Sequence, residues 1–319
     1  MKRLRYDKWQ NLAWYGVTID IPDEWNPGQL VGDARSGNVR LDDAQIVRVE
    51  VEWKEAGGDP EVARIVDRYV EGLAKNAQKE KQTLSVERSV LIEGLDLPGL
   101  AAWECFRWKG VHEVTTLAGY SPVSDRLFFI RVMTRPDEDA QELLSRLFGS
   151  LADTPAEAWQ PWGLYGLQCS TPPDFPLEEY DLKSGHIRLL FKKEKSLLRI
   201  DRLSLARTLL AGSSLSDWYQ QFFAKDLRFI DTRVDTLDDQ AISVQGEPKG
   251  RVQSLLQPLP FWNTRPRLHL RGRAWVSDEE NKIFVAQSFY NKEEDALDLD
   301  TIQDAMPGPN RPAPVEATS

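Results

Sequence analysis

The chain has little of what enzymes and secreted domains usually advertise. It holds only two cysteines, Cys105 and Cys169, in 319 residues. They form no CxxC pair and no disulfide framework, so a reducing compartment is the expectation. Three histidines, His112, His186 and His269, are too scattered for the usual spacing of a metal site. No apolar run approaches the length of a membrane-crossing helix. The basic start, Met1 to Lys8, leads into no apolar stretch, and Asp7, Gln10 and Asn11 interrupt it, which argues against a signal peptide. A cytoplasmic location follows as the expectation. No Walker-type loop, Gly-x-Gly-x-x-Gly or Gly-x-Ser-x-Gly elbow occurs, so no catalytic residue, cofactor or metal is assigned and the chain is read as a non-enzyme. Positive charge is also short: 40 Lys and Arg face 50 Asp and Glu, a net charge of -10. That disfavours nucleic acid as a general partner, because polyanion binding rests on a positive field.

What the chain does have is internal repetition. Tyr15-Gly16-Val17 leads to Pro22 and Trp25, and Tyr165-Gly166-Leu167 leads to Pro172 and Phe175. Ser36-Gly37-Asn38-Val39-Arg40-Leu41 returns as Ser184-Gly185-His186-Ile187-Arg188-Leu189, and Val123-Ser124-Asp125 as Val276-Ser277-Asp278. Three matches in the same order argue for a tandem duplication. The expected boundaries are a first repeat at 1–152, a Pro/Trp linker at 153–163, a second repeat at 164–305 and a disordered proline-rich tail at 306–319.

Periodicity supplies the elements. Val47, Val49, Val51 and Trp53 alternate with Arg48, Glu50 and Glu52, a strand with one wet face. Val62, Ile65, Val66, Tyr69, Val70 and Leu73 form one helical stripe, with Asp59 read as its N-cap and Pro60 as its first residue. Strands are expected near 84–92, 99–108, 112–121 and 126–134, then a helix carrying Leu143, Leu144, Leu147 and Phe148. The second half repeats the order, with a helix from Ser214 and a last helix opened by Glu293-Glu294-Asp295. The predicted fold class is α+β: two tandem copies of a mostly antiparallel sheet, each with a mid-domain helix and a C-terminal helix.

An opening strand ending in Pro22-Asp23-Glu24-Trp25, a middle helix, a meander and a closing Ser145-Arg146-Leu147-Phe148-Gly149-Ser150-Leu151 resemble the PsbP-like fold superfamily. That group includes extrinsic photosystem subunits, Ran-binding import factors and chaperones of secreted effectors. The resemblance implies a non-catalytic binding or assembly role and transfers no site residue. Phe175 stands where the first copy has Trp25.

The strongest local signal is Arg265-Pro266-Arg267-Leu268-His269-Leu270-Arg271-Gly272-Arg273. On a strand, Arg265, Arg267, His269, Arg271 and Arg273 share one face and Leu268 and Leu270 the other. Lys249 and Arg251 share a parity and suit the neighbouring strand. Such a basic ridge fits an acidic peptide or a phosphate-bearing ligand. The competing reading is a wet face neutralised by the chain's own Glu178, Glu179, Asp235, Asp238 and Asp239, the common fate of charge runs. Trp262, with Phe261 among prolines, and Trp159 with Trp162 are either interface anchors or core caps. The expected function is a protein-interaction module: an adaptor, assembly factor or accessory subunit whose partner protein binds the second repeat. The alternative is a small-molecule binder or enzyme with a cleft between the repeats.

Overall fold

The computed structural model describes residues 2–110, 113–183, 185–249, 268–304 and Met306. His112, Arg251, Trp262, Arg265, Arg267 and the tail beyond Met306 lie outside the described residues. The chain divides into two compact units, Met1–Gly166 and Leu167–Ser319.

The first unit runs β1 (Lys2–Arg3), β2 (Trp9–Trp14), β3 (Val17–Pro22), β4 (Asn26–Gly32), β5 (Ser36–Asp42), β6 (Val47–Glu55), α1 (Val62–Lys79), β7 (Ser85–Glu87), β8 (Ala102–Lys109), β9 (Glu113–Ser121), β10 (Arg126–Thr134), β11 (Glu138–Asp139), α2 (Gln141–Gly149), β12 (Ala152–Asp153) and β13 (Gln160–Leu164). Seven strands form one antiparallel sheet in the order β4-β5-β6-β10-β9-β8-β7. Adjoining strands β12, β3, β2 and β13 belong to a smaller sheet. Both faces of the large sheet are covered at its centre, since Val114 to Ser121 are all buried and successive side chains point to opposite faces. On one face, Val62 and Val66 of α1 pack on Phe106, Ala118, Tyr120 and Phe129.

The second unit runs β14 (Leu167–Thr171), β15 (Leu177–Lys183), β16 (His186–Lys193), β17 (Ser196–Ser204), α3 (Ala206–Leu209), α4 (Leu215–Phe222), β18 (Ile230–Asp238), β19 (Ala241–Pro248), β20 (His269–Ser277), β21 (Lys282–Tyr290), a 3-10 turn (Glu293–Asp295) and α5 (Leu299–Asp304). Its sheet has the order β15-β16-β17-β21-β20-β19-β18. Leu215, Trp218 and Tyr219 of α4 join Phe223 over Val244, Leu270, Ala274, Val285 and Phe289.

The α+β reading is overturned. Among the described residues the protein is mainly β, 49% strand and 16% helix, and not two copies built around a middle and a closing helix. The physical reason lies in the ladders. Strands β4 and β15 show no apolar alternation and are largely exposed, so period-two reading misses them; each is held by antiparallel pairing to its neighbour. The closing segment of the second unit is broken into a 3-10 turn and the six-residue α5. Smaller shifts follow the same logic. Glu61, not Asp59, is the N-cap residue of α1, whereas the helix expected from Ser214 is present as α4 and that residue caps it, its hydroxyl accepting from the Asp217 N–H at 3.1 Å.

Two of the three sequence matches share local structure: the second places Val39-Arg40-Leu41 in β5 and Ile187-Arg188-Leu189 in β16, each next to the edge strand of its sheet, and the first is alike at both of its ends. Tyr15 and Tyr165 both take φ 51, each followed by a left-handed glycine (φ 82 at Gly16, 71 at Gly166), the geometry of a tight hairpin turn. Trp25 and Phe175 are both buried, and the N–H of each donates to the carbonyl of Pro22 and Pro172 respectively. The third match does not align. Val123 to Asp125 lie in the turn after β9, whereas Val276 and Ser277 end β20.

Candidate functional site

On β20 the alternation holds. Leu270, Ala274 and Val276 enter the core beneath α4, while His269, Arg271 and Arg273 share the opposite face. Gly272 allows the close approach of that helix: a Cβ there would come within 3.2 Å of Val244 Cβ and 3.3 Å of the Tyr219 hydroxyl oxygen.

The ridge is not bare. Arg271 forms an ion pair with Glu293 and lies 5.7 Å from the centre of the Tyr290 ring. His269 stacks on the same ring at 5.6 Å between centroids. Arg273 meets Asp300 at 2.6 Å. The carboxylates that hold the ridge thus come from the segment after β21. Glu178, Glu179 and Asp235 pair elsewhere, with Lys192, Arg188 and Arg233, and Asp238 accepts from the Gln240 N–H. Lys249 is drawn away from the ridge: its Nζ donates to the Arg228 carbonyl at 3.1 Å and lies 3.7 Å from Asp231. Of the aromatic candidates, Trp162 is buried edge-on against Trp14 and Tyr15 within the first unit, while Trp159 is exposed.

The structure also contains two buried ionic clusters that motif reading misses. In the second unit, Arg199 and Asp201 stand two apart on β17, on the face covered by α4. Arg199 Nε and Nη2 donate to the Asp201 carboxylate at 2.6 and 3.1 Å, Nη1 donates to Asp226, and the guanidinium lies 4.8 Å from the centre of the Phe223 ring. His186 Nε2 sits 2.6 Å from the second oxygen shared with Arg199, Oδ1 of Asp201, which is wholly buried. Burial alone would push the Asp201 carboxyl up; the Arg199 charge and the His186 hydrogen bond outweigh it, and the group lies below its ordinary value. Nearby, Gln287 Nε2 donates to the Tyr219 hydroxyl at 2.6 Å.

In the first unit, Arg48 grips Glu138 with two hydrogen bonds of 2.7 and 2.9 Å and donates Nε to Asp43 at 2.6 Å. The Arg48 hydrogen bond, against the opposing effect of burial, holds Glu138 below the usual carboxylate range. This cluster borders a cavity of about 400 Å³ lined by Arg3, Tyr6, Arg48, Arg135 and Glu138 among others. A sequence signal existed for both clusters. Arg199 and Asp201 share a parity with the apolar Leu197 and Leu203 that flank them, and Arg48 stands in the period-two strand that ends at Trp53.

Both cysteines are free and buried. Burial pushes the Cys105 thiol up to about 12 and raises that of Cys169 as well, so neither is poised as a nucleophile.

No protein-family model and no curated protein matches the chain. The resemblance to PsbP-like domains is therefore not supported, and the middle and closing helices that carried it are not the plan of the fold. Among solved structures, the chain is similar to the immunity protein TplEi of T6SS from Pseudomonas aeruginosa complexed with "L" peptide, over 94% of this chain and 98% of that one, at 14% identity and a TM-score of 0.33. That likeness is too distant to bear on site or function. No helix among the described residues is long and apolar enough to cross a membrane.

Proposed function

We propose that this protein is a non-catalytic protein-interaction module, an adaptor, assembly factor or accessory subunit of a larger complex, and that its second unit receives a carboxylate-bearing partner protein on β20. The observation that carries this reading is the state of Arg271 and Arg273. They stand on one sheet face, each held by an exposed carboxylate: the side-chain exposures are 46% and 68% for Arg271–Glu293, and 28% and 65% for Arg273–Asp300. Exposed ion pairs contribute about 0–1 kcal/mol, so a partner's carboxylates can take the places of Glu293 and Asp300 at little cost. Bidentate geometry then favours arginine over lysine as the receiving group. Two free cysteines favour a reducing, cytoplasmic setting.

The test is affinity capture from the native organism with mass spectrometry, wild type against Arg271→Glu/Arg273→Glu. A stoichiometric partner recovered with the wild type and lost with the folded variant is the expected result. Equal recovery by both proteins would remove β20 from the interface, and no partner with either would remove the reading itself.

A further inference from the structure

Helix α1 meets its sheet over only part of its length. Val62 and Val66 are buried in the cluster beneath it, and Ile65, Tyr69 and Val70 pack partly against the same cluster. Leu73 and Ala77 continue that stripe at helical spacing. Instead of closing on the sheet, they roof a cavity of about 280 Å³. Its floor is one row across three strands: Met133 of β10 stands opposite Val114 of β9, which stands opposite Trp108 of β8. Residues paired across strands point to the same face, so thioether, isopropyl group and indole lie side by side beneath the helix. Leu84 adds to the apolar wall. All of these residues belong to the first unit.

The mouth is polar. Asn76 and Glu80 at the end of α1, and Gln82 and Thr83 in the turn after it, line the cavity and are exposed. Among the described residues the lining holds one charged group, the Glu80 carboxylate, and no cation.

Size, wall and charge together define the guest. An apolar cavity of about 150 Å³ holds benzene, so about 280 Å³ suits a two-ring molecule. The indole of Trp108 and the thioether of Met133, one on each side of Val114, favour an aromatic body through ring–ring and sulfur–ring contacts. A carboxylate or phosphate would give up its water and find no counter-charge. The indole N–H of Trp108 is buried, and no acceptor among the described residues meets it. A buried donor left unpaired is costly, and a carbonyl on the guest would pair it.

We infer that the space between the second half of α1 and the Met133–Val114–Trp108 row is a binding site for a small uncharged aromatic molecule of two rings carrying a carbonyl acceptor. The apolar row holds the rings, and Trp108 gives the hydrogen bond. This site is separate from the ridge of β20: it lies in the first unit and takes a small neutral molecule, where the ridge takes carboxylates.

The probe is prodan, an uncharged naphthyl ketone whose emission moves to shorter wavelength in apolar surroundings, titrated into the full chain. Saturable binding with a blue shift is the expected result. Ala77→Phe fills the cavity from the helix side and should abolish binding while the melting temperature holds or rises. Leu73→Gln places an amide in the roof at a half-buried position and should also weaken binding, so the test does not depend on one variant. Trp108→Phe keeps a ring and removes the N–H. It should weaken prodan about three- to tenfold and leave dimethylaminonaphthalene, which has no carbonyl, unchanged. Anilinonaphthalene sulfonate, an anion, should bind more weakly than prodan. Arg271→Glu/Arg273→Glu should bind prodan as the wild type does, which separates this site from the ridge. No saturable binding by the wild type, or undiminished binding by both Ala77→Phe and Leu73→Gln, would overturn the site. Equal loss of both neutral probes with Trp108→Phe, or sulfonate binding as tight as that of prodan, would overturn the class of ligand.

Discussion

Arg48 in the first unit and Arg199 in the second stand at the same place on their strands, and the two units surround that place differently. In the first sheet Arg40 pairs with Glu50, and in the second Arg188 pairs with Asp201. Arg40 and Arg188 are the same position of the repeated hexapeptide, and two residues before their partners lie Arg48 and Arg199. Arg48 finds its main carboxylate far along the chain, at Glu138, next to a cavity. Arg199 finds Asp201 on its own strand, under the Phe223 ring. One cluster ties a distant segment down beside a cavity; the other lies in a sheet–helix layer, and its acid, Asp201, is wholly buried. A buried charge is costly in proportion to how dry it is kept, so matched positions need not carry matched energies.

Removing the acid from each cluster is the strongest way to break this comparison. Asp201→Ala leaves Arg199 beneath α4 with Asp226 alone and removes the partner of His186, and should lower unfolding stability by about 3–5 kcal/mol. Glu138→Ala leaves Arg48 with Asp43 and an adjoining cavity that admits water, so the loss should be smaller, about 1–3 kcal/mol. Urea titrations of both variants check this, and equal losses would show that dryness does not distinguish the units.

Acid titration sharpens the comparison. Asp43, Glu138 and Asp201 all lie below their ordinary values in the folded protein. A depressed carboxyl stabilises the fold fully above its unfolded pKa, about 3.9 for Asp and 4.3 for Glu. That stabilisation drains away as pH falls from there through the lower folded value. Stability should therefore decline as pH falls below about 4. Asp201→Asn should flatten the part of the decline that belongs to the second unit and leave the first unit's part intact. A variant that falls as steeply as the wild type would show that Asp201 is not the linked group.

The smallest effect concerns the cover. Helix α4 has a side-chain cap at Ser214, whereas no side-chain hydrogen bond caps α1 at Glu61. Ser214→Ala should cost about 1 kcal/mol and speed amide exchange in the first turn of α4. If it also lowers the stability that Asp201 contributes, the start of the helix is part of the seal.

Much of the strand order was legible in the sequence, because alternation in 46–53 marks a half-buried strand, turn residues bound the strand at 126–134, and the stripe at 62–73 marks α1. The fold class was not. Edge strands such as β15, with Glu178, Glu179 and Asp181, bury too little to leave an apolar trace, so the helices counted for more than their share. The ridge on β20 was legible as a face, since parity alone places His269, Arg271 and Arg273 together. Its counter-charges were not, because Glu293 and Asp300 reach it through the turn after β21, a contact no spacing rule encodes.

The two cysteines give the molecule a pair of internal clocks. Cys105 lies in β8 of one unit and Cys169 in β14 of the other, both buried and free. Their raised thiols hold almost no thiolate at neutral pH while folded, so alkylation must wait until the surrounding structure opens. Single Cys105→Ser and Cys169→Ser proteins would then report, by labelling rate alone, how often each half of the chain breathes.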